Sequence, residues 1–211
     1  MDLFVGLAGF RGKIERYRFD LLEFAVTPTL PKSKVLRGFR EAKPRVVFSL
    51  RTAPSVLEGG SDAEDNVERT IRSADALAAR FIVLPSGPRF TPTTRNRTRL
   101  VESAKRLAAE GRHVAWEPRG VWEEAELASW SEEAGVTVVR DLTRDDHVGG
   151  EVAYTRLLPF GTGTRLTQNG LEKLVERLEP LQEAFVIVAS EGAVQARTRL
   201  REWLGAEDAE A

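Results

Sequence analysis

RFIVLPSGPRFTPTTRNRTRLVESAKRLAAEGRHVAW, residues 80–116, is the stretch of sequence that decides the fold. It begins with an apolar run, Arg80–Leu84, and ends with a second one, Arg112–Trp116. Between them, Thr94–Glu110 has apolar residues every three or four positions, which is typical of a helix with one buried face. A strand, a helix and a strand in this order predict two parallel strands joined by a right-handed crossover.

The same alternation runs through the rest of the chain. The runs that we interpret as strands are Leu3–Leu7, Leu21–Val26, Arg45–Leu50, Arg80–Leu84, Arg112–Trp116, Val136–Val139, Val152–Leu157 and Ala184–Val188. Helical patterns cover Ser61–Ala79, Thr94–Glu110, Val121–Ala134, Gly170–Leu181 and Ala193–Leu204. Several strands have apolar residues at both odd and even positions, as expected of strands that are buried on both faces.

Eight such units predict an α/β fold, a compact (β/α)8 TIM-type barrel, in which the first and last strands pair. A doubly wound open sheet is the alternative. The units Arg11–Phe19 and Thr143–Gly150 have room for about two helical turns at most, so some βα units are shortened. We expect one domain over residues 1–204 and an acidic, frayed tail over residues 205–211.

Composition narrows the classes of function. The chain has no cysteine, which excludes disulfides, thiolate zinc sites and cysteine nucleophiles and fits a reducing compartment. No signal peptide pattern and no apolar run of about 20 residues is present, so we expect a cytoplasmic protein without a membrane partner. A net charge of −1, from 31 basic and 32 acidic residues, argues against broad attraction to nucleic acid.

The densest group of candidate site residues is the stretch from Trp116 to Gly120, at the end of the fifth strand. Active sites of TIM barrels lie at the carboxyl ends of the strands. Glu117 and Arg119 are two positions apart, so on an extended chain their side chains point to the same side, toward the barrel mouth. The glutamate is a candidate general acid or base, and the arginine is a candidate contact for an anion. The alternative is a structural ion pair at the top of the barrel. Nearby cations should keep Glu117 ionised at neutral pH.

Other strand ends add further candidates. Asp141 is either a second catalytic carboxylate or metal ligand, or a residue that forms the turn before Thr143. Arg51, Tyr154 and Arg156 are candidate substrate-binding residues, and Arg156 alternatively forms a salt bridge to Asp141 or Glu117.

Three further features are weaker indications. Glu23 lies inside the second strand and needs a partner there, such as Arg51. Gly161–Thr164 follows the seventh strand, where TIM barrels often bind phosphate, but the spacing to a helix is unfavourable. With His113 and His147 as the two histidines and no cysteine, no transition-metal site is predicted. A Mg²⁺ or Mn²⁺ ion bound by carboxylates stays open, and the sequence leaves the cofactor unknown.

The order of these motifs resembles the YecE-like family, a domain of unknown function with a TIM-barrel fold. The matching stretches are Val5-Gly6-Leu7-Ala8-Gly9-Phe10, Glu23 with Thr27, Leu36-Arg37 with Phe48-Ser49-Leu50-Arg51, Phe90-Thr91-Pro92-Thr93 with Asn96, Ala115 to Trp122, Asp141, and Tyr154-Thr155-Arg156-Leu157. The family has no settled reaction, so the resemblance implies the fold and a pocket but no substrate.

Three functional hypotheses follow from the residues; the third, nucleic-acid processing, is disfavoured by the balanced charge and would require salt-dependent binding to DNA or RNA. In the first, the protein is an enzyme that acts on a small molecule bearing a phosphate or carboxylate at the barrel mouth, with Glu117 and Asp141 as catalytic residues. In the second, it is a non-catalytic ligand-binding module, or a decayed enzyme that retains the pocket. Turnover that is lost on substitution of Glu117 would separate the first two.

Overall fold

The computed structural model describes residues 1–10, 12–108, 112–158, 166–189 and 192–205. The strands are β1 (Asp2–Ala8), β2 (Leu21–Ala25), β3 (Val47–Arg51), β4 (Phe81–Pro85), β5 (His113–Glu117), β6 (Thr137–Val138), β7 (Val152–Leu157) and β8 (Glu183–Val188). The helices are α1 (Ser33–Ala42), α2 (Ser55–Glu58), α3 (Ala63–Leu77), α4 (Thr94–Leu107), α5 (Glu124–Ala134), α6 (Gln168–Leu178) and α7 (Ala193–Leu204), with a 3₁₀ turn at Ile14–Arg16. Within these residues, no helix is both long and apolar enough to span a membrane.

The eight strands form one parallel sheet in the order β6-β5-β4-β3-β2-β1-β8-β7. The predicted pairing of the first and last strands is confirmed, with Leu3 opposite Ala184. The two edge strands, β6 and β7, meet through a single parallel bridge between Arg140 and Thr155. The fold is therefore a TIM-type barrel, nearly closed, and not the open sheet that was the alternative.

The seam between β6 and β7 depends on a buried hydroxyl. Thr155 donates from Oγ1 to the carbonyl oxygen of Arg140 at 2.7 Å and accepts from the amide of Leu142 at 3.2 Å. The amide of Arg156 donates to the same Arg140 carbonyl at 3.1 Å. β6 and β7 share few backbone hydrogen bonds, and these contacts add to them. They also fix the position of Arg156 along the barrel axis.

The helices agree with the sequence patterns in most units. The prediction that the units after β1 and β6 are short is confirmed, since the first holds the 3₁₀ turn and no helix lies between β6 and β7 in the described residues. The pattern did not indicate α1, because Leu36 is its one fully buried residue and Gly38 interrupts it. The predicted phosphate segment, Gly161–Thr164, and residues 206–211 of the predicted tail lie outside the described residues.

The barrel interior is apolar through its middle and charged at its ends. Its buried apolar cluster comprises Leu21, Phe81, Val83, Ala115, Val139, Tyr154, Phe185 and Ile187. At the amino-terminal end, Arg80 donates to both carboxylate oxygens of Glu183 at 2.5 and 2.6 Å and stacks over the ring of Phe185. The interior becomes charged toward the carboxyl ends of the strands. On four strands, the residue two positions beyond the middle of the barrel is a glutamate or an arginine.

Gly6 allows β1 and β2 to approach each other closely. It pairs with Leu21 on one side and Ile187 on the other. A Cβ atom added at Gly6 would lie 1.6 Å from the carbonyl oxygen of Leu21. A backbone atom cannot move aside without breaking the pairing, so the position requires glycine.

We predict that Gly6→Ala lowers the free energy of unfolding by more than about 4 kcal/mol, because the two central strands must separate. The matched control is Gly38→Ala in α1, where an added Cβ meets no atom within 4 Å. That change should stabilise the protein by about 1 kcal/mol through helix propensity. Urea denaturation of both variants measures the difference, and equal stabilities would contradict the account of Gly6.

Candidate functional site

The charged layer at the carboxyl end of the barrel is built from four strands. Glu23 comes from β2, Arg51 from β3, Glu117 from β5 and Arg156 from β7. Each lies two positions beyond a residue that lines the barrel interior, and β2, β5 and β7 are not neighbours in the sheet. These four side chains therefore meet across the barrel interior, beneath its mouth.

Arg51 and Glu117 form a bidentate salt bridge. Nε of Arg51 donates to Oε2 at 2.8 Å and Nη2 donates to Oε1 at 3.1 Å. Glu117 is 8% exposed, whereas the side chain of Arg51 retains 23% of its surface. This planar geometry is the strongest form of an arginine–carboxylate contact, so both groups are fixed in orientation.

Arg156 joins the two carboxylates of the layer. Its Nη2 donates to both oxygens of Glu23, at 2.8 and 2.7 Å. Its Nε lies 3.4 Å from Oε2 of Glu117 and is buried without a hydrogen bond of its own. The sequence interpretation that offered Arg51 as the partner of Glu23 is wrong: Arg156 takes that place, because Arg51 is engaged with Glu117.

A hydroxyl chain supports Glu23 from below. The phenol of Tyr154 donates to Oε2 of Glu23 at 2.8 Å, and the hydroxyl of Ser49 lies 2.9 Å from the Tyr154 oxygen. Burial raises the pKa of Tyr154 well above its ordinary value, and the adjacent Glu23 carboxylate raises it further. Tyr154 therefore stays protonated, its one proton goes to Glu23, and Ser49 donates to the phenol oxygen.

Electrostatics keep the layer ionised. Burial raises the pKa of Glu117, but the hydrogen bonds from Arg51 and the charges of Arg156, Arg51 and Arg119 outweigh it, and the pKa lies below its ordinary value. Burial likewise opposes the charge on Arg156, yet Glu23 and Glu117 raise its pKa above the ordinary arginine value. The four groups carry two negative and two positive charges and form a neutral network.

Arg119 lies at the edge of this network. Its Nη2 is 3.9 Å from Oε1 of Glu117, and its side chain is 63% exposed. The loop that carries it is anchored by Trp122, which donates from Nε1 to the Arg119 carbonyl at 3.3 Å and packs edge-on against Trp116 with ring centres 5.0 Å apart. Arg119 is thus the cation of this group with donors free to reach a ligand.

Asp141 lies at the same end of the barrel but outside the network. Its Oδ1 accepts from the amide and the hydroxyl of Thr143, at 3.2 and 2.6 Å, and its Oδ2 accepts from the amide of Leu158 at 3.2 Å. None of its contacts within the described residues is with Glu117 or Arg156. Oδ2 also lies 3.6 Å from Nε of Arg144. The contacts with Thr143 are those of the turn-forming alternative, and the catalytic role of Asp141 stays a prediction.

Glu23 and Ser49 belong to the network although sequence reasoning did not select them as site residues. Glu23 is 2% exposed, and the apolar residues on both sides of it were the available signal, since a buried carboxylate requires partners. Ser49 gave no signal. Tyr154, predicted to bind substrate, is 1% exposed and donates to Glu23, so it does not face the mouth directly, and its role in substrate binding stays a prediction.

The network offers fixed charges rather than a metal site. Among the described residues, no group of three histidine, cysteine, aspartate or glutamate side chains is arranged to hold a metal ion. Glu117 retains lone pairs that can accept from a ligand hydroxyl, and Arg119 can donate to an anion. The arrangement can therefore bind and orient a small polar molecule at the mouth.

Comparisons with known proteins give no match by sequence: no family model and no curated protein matches the chain. Solved structures do match. A DUF72 family protein of Thermotoga maritima has a TM-score of 0.70 at 17% identity, over 96% of this chain and 98% of that chain. A DUF72 family protein of Enterococcus faecalis has a TM-score of 0.79 at 13% identity, over 98% of both chains.

The likeness extends to barrels of named activity. An L-ribulose 3-epimerase has a TM-score of 0.63 at 16% identity, over 89% of this chain and 84% of that chain. At such identities the likeness establishes the fold alone. The chain has the TIM-barrel fold found in DUF72 proteins and in this sugar epimerase.

Proposed function

We propose that the protein is a YecE-like barrel that binds a small anionic molecule at its mouth and acts on it as an enzyme. The observation that carries the proposal is the exposed Arg119 beside a buried, neutral network of two carboxylates and two arginines. The network fixes Glu117 beneath the mouth, and Arg119 supplies the uncompensated positive charge there. The sequence resemblance and the fold shared with DUF72 proteins support the family assignment.

The proposed roles follow from exposure and contacts. Arg119 contacts the phosphate or carboxylate of the ligand, and the accessible part of Arg51 assists it. Glu117 accepts a hydrogen bond or a proton from the ligand, while Glu23 and Tyr154 position Arg156 behind it. A sugar epimerase on the same fold supports a small molecule as substrate.

A non-catalytic binding module is the second candidate, and one observation favours it. The lowered pKa of Glu117 makes this carboxylate a weak base at neutral pH. A group held by two arginines is better suited to accept a hydrogen bond than to remove a proton from carbon. Turnover, and not binding, separates the two candidates.

The proposal predicts that small carboxylates or phosphate esters raise the melting temperature of the protein and that Arg119→Gln abolishes the rise. Each stabilising compound is then assayed for turnover in the native and Glu117→Gln proteins. Turnover that requires Glu117 supports the enzyme, and binding without turnover supports the module. If no anionic compound stabilises the protein through Arg119, the proposed function is wrong.

We predict that Glu117→Gln lowers the free energy of unfolding by about 3 kcal/mol, the lower end of the range for a broken buried pair, since Arg51 keeps access to water. The variant should also bind sulfate more tightly than the native protein, because the network gains one positive charge. The matched control is Glu124→Gln. Glu124 forms an ion pair with Arg140 at 2.5 Å, but the glutamate side chain is exposed. That control should cost less than about 1 kcal/mol. Urea denaturation with and without sulfate measures both effects.

The stability gap between the native and Glu117→Gln proteins should depend on pH. Because folding lowers the pKa of Glu117 below its ordinary 4.5, the stabilisation is complete above that pH and is lost as the pH falls through the folded pKa. The gap should be constant from pH 7 to about pH 5 and shrink at lower pH. The pKa of Asp20 is also lowered, but Asp20 is present in both proteins, so its contribution cancels in the difference between their unfolding free energies. A gap that is unchanged at pH 3 would contradict the ionised network.

A further inference from the structure

A polar cavity that none of the four network residues lines is found between the loop after β2 and the side of α3. Its volume is about 210 Å³. Its polar lining comprises Thr27, Lys32, Ser33, Arg69, Arg72 and Ser73, and the rest is two prolines and a leucine. No carboxylate is among the described residues that line it. The cavity is therefore cationic as built, in contrast to the neutral network in the barrel.

The positive charges around this cavity are poorly compensated. Lys32 makes no salt bridge or side-chain hydrogen bond with any described residue. Arg69 donates to the neutral amide oxygen of Asn66 at 3.4 Å. Arg72 lies 3.7 Å from Glu68, and both side chains are largely exposed, so this pair is weak. Most arginines elsewhere in the described chain contact a carboxylate directly, so the cavity differs from its surroundings.

The first turn of α1 forms one wall of the cavity. The helix has ten residues and begins at Ser33, and the residue before it, Lys32, provides no side-chain cap. The amide groups of an uncapped first turn carry partial positive charge and bind anions. The backbone and the cationic side chains thus favour the same kind of ligand.

Ser73 gives an independent indication of a ligand. This residue of α3 is 5% exposed and lines the cavity. Its hydroxyl has no hydrogen-bond partner among the described residues. The hydroxyl opens onto the cavity, so an oxygen of a ligand bound there can be its hydrogen-bond partner.

We propose that this cavity binds a phosphate group. Three cations, a helix amino terminus and hydroxyls on two walls surround one small volume, and they suit a tetrahedral dianion with several acceptor oxygens. The volume exceeds that of a few water molecules, each of which takes about 30 Å³, so a phosphate with several attached atoms fits. Neither Glu117 nor Arg119 lines this cavity, so the site does not depend on the function proposed at the mouth.

The test is a calorimetric titration of the native protein with inorganic phosphate at constant ionic strength, repeated with Arg69→Gln, Lys32→Gln and Ser73→Ala. Loss of a charged contact in the cavity should weaken binding by about tenfold or more. The matched control is Arg37→Gln, which removes an exposed cation from the same helix but outside the cavity. It should leave the affinity within about twofold, because exposed charges act weakly at this distance.

Two further titrations identify the source of the phosphate and its site. Tighter binding of glycerol phosphate than of inorganic phosphate indicates a phosphorylated small molecule, and binding of a short DNA duplex that Arg69→Gln abolishes indicates a nucleic acid backbone. Either result supports the phosphate site. Absence of any phosphate binding overturns the proposal, as does equal weakening by Arg69→Gln and Arg37→Gln. Binding that is lost in Arg119→Gln but kept in Arg69→Gln places the phosphate at the mouth and also overturns it.

Discussion

The guanidinium of Arg156 is the group on which the upper half of the barrel depends. Its Nη2 holds Glu23 and its Nε faces Glu117, so a single side chain from β7 neutralises carboxylates from β2 and β5. A charge that is taken out of water needs a partner, and removal of one member leaves the others uncompensated. Arg51 completes the balance on the far side of Glu117. The four side chains therefore act as a unit, whose effects on stability are not additive.

The remainder of the barrel fixes this unit in place. Below it, the phenol of Tyr154 remains protonated and directs its proton to Glu23, while the apolar cluster excludes water from the middle of the barrel. At the side, the hydroxyl of Thr155 joins β6 to β7 and sets the position of the residue that follows it, Arg156. The seam has a single bridge, so the network inside the barrel and the closure of the sheet depend on adjacent residues of the same strand.

The local hydrophobic pattern of the sequence predicted the strands. It did not predict which side chains of distant strands contact each other. The eight apolar runs, and the pairing of the first with the last, follow from buried parallel strands and a closed sheet. Tyr154 and Arg156 are two positions apart on β7, and both point inward in the structure. The partner of Glu23 did not follow, because β2 and β7 are separated by two strands in the sheet and meet across the interior. Helix α1 was missed since one buried leucine leaves little periodicity. The sequence alone allowed two interpretations of Asp141, because an aspartate that forms a turn and one that belongs to a functional site cannot be distinguished until their hydrogen-bond partners are known.

The number of arginines in this chain is a poor guide to where anions bind, because many of them are already paired with carboxylates of the protein itself. Arg51 and Arg156 at the centre of the charged layer are paired with Glu117 and Glu23, whereas Arg119 at its edge is largely exposed. The overall charge of −1 conceals this distinction, since it adds paired and unpaired groups alike. Lys32 and Arg69, on the outside of the barrel, face a cavity without a carboxylate. A cation attracts an anion in proportion to the charge left uncompensated around it, so the two anion sites that we propose are the sparsely paired cavity and the edge of the network rather than the arginine-rich centre.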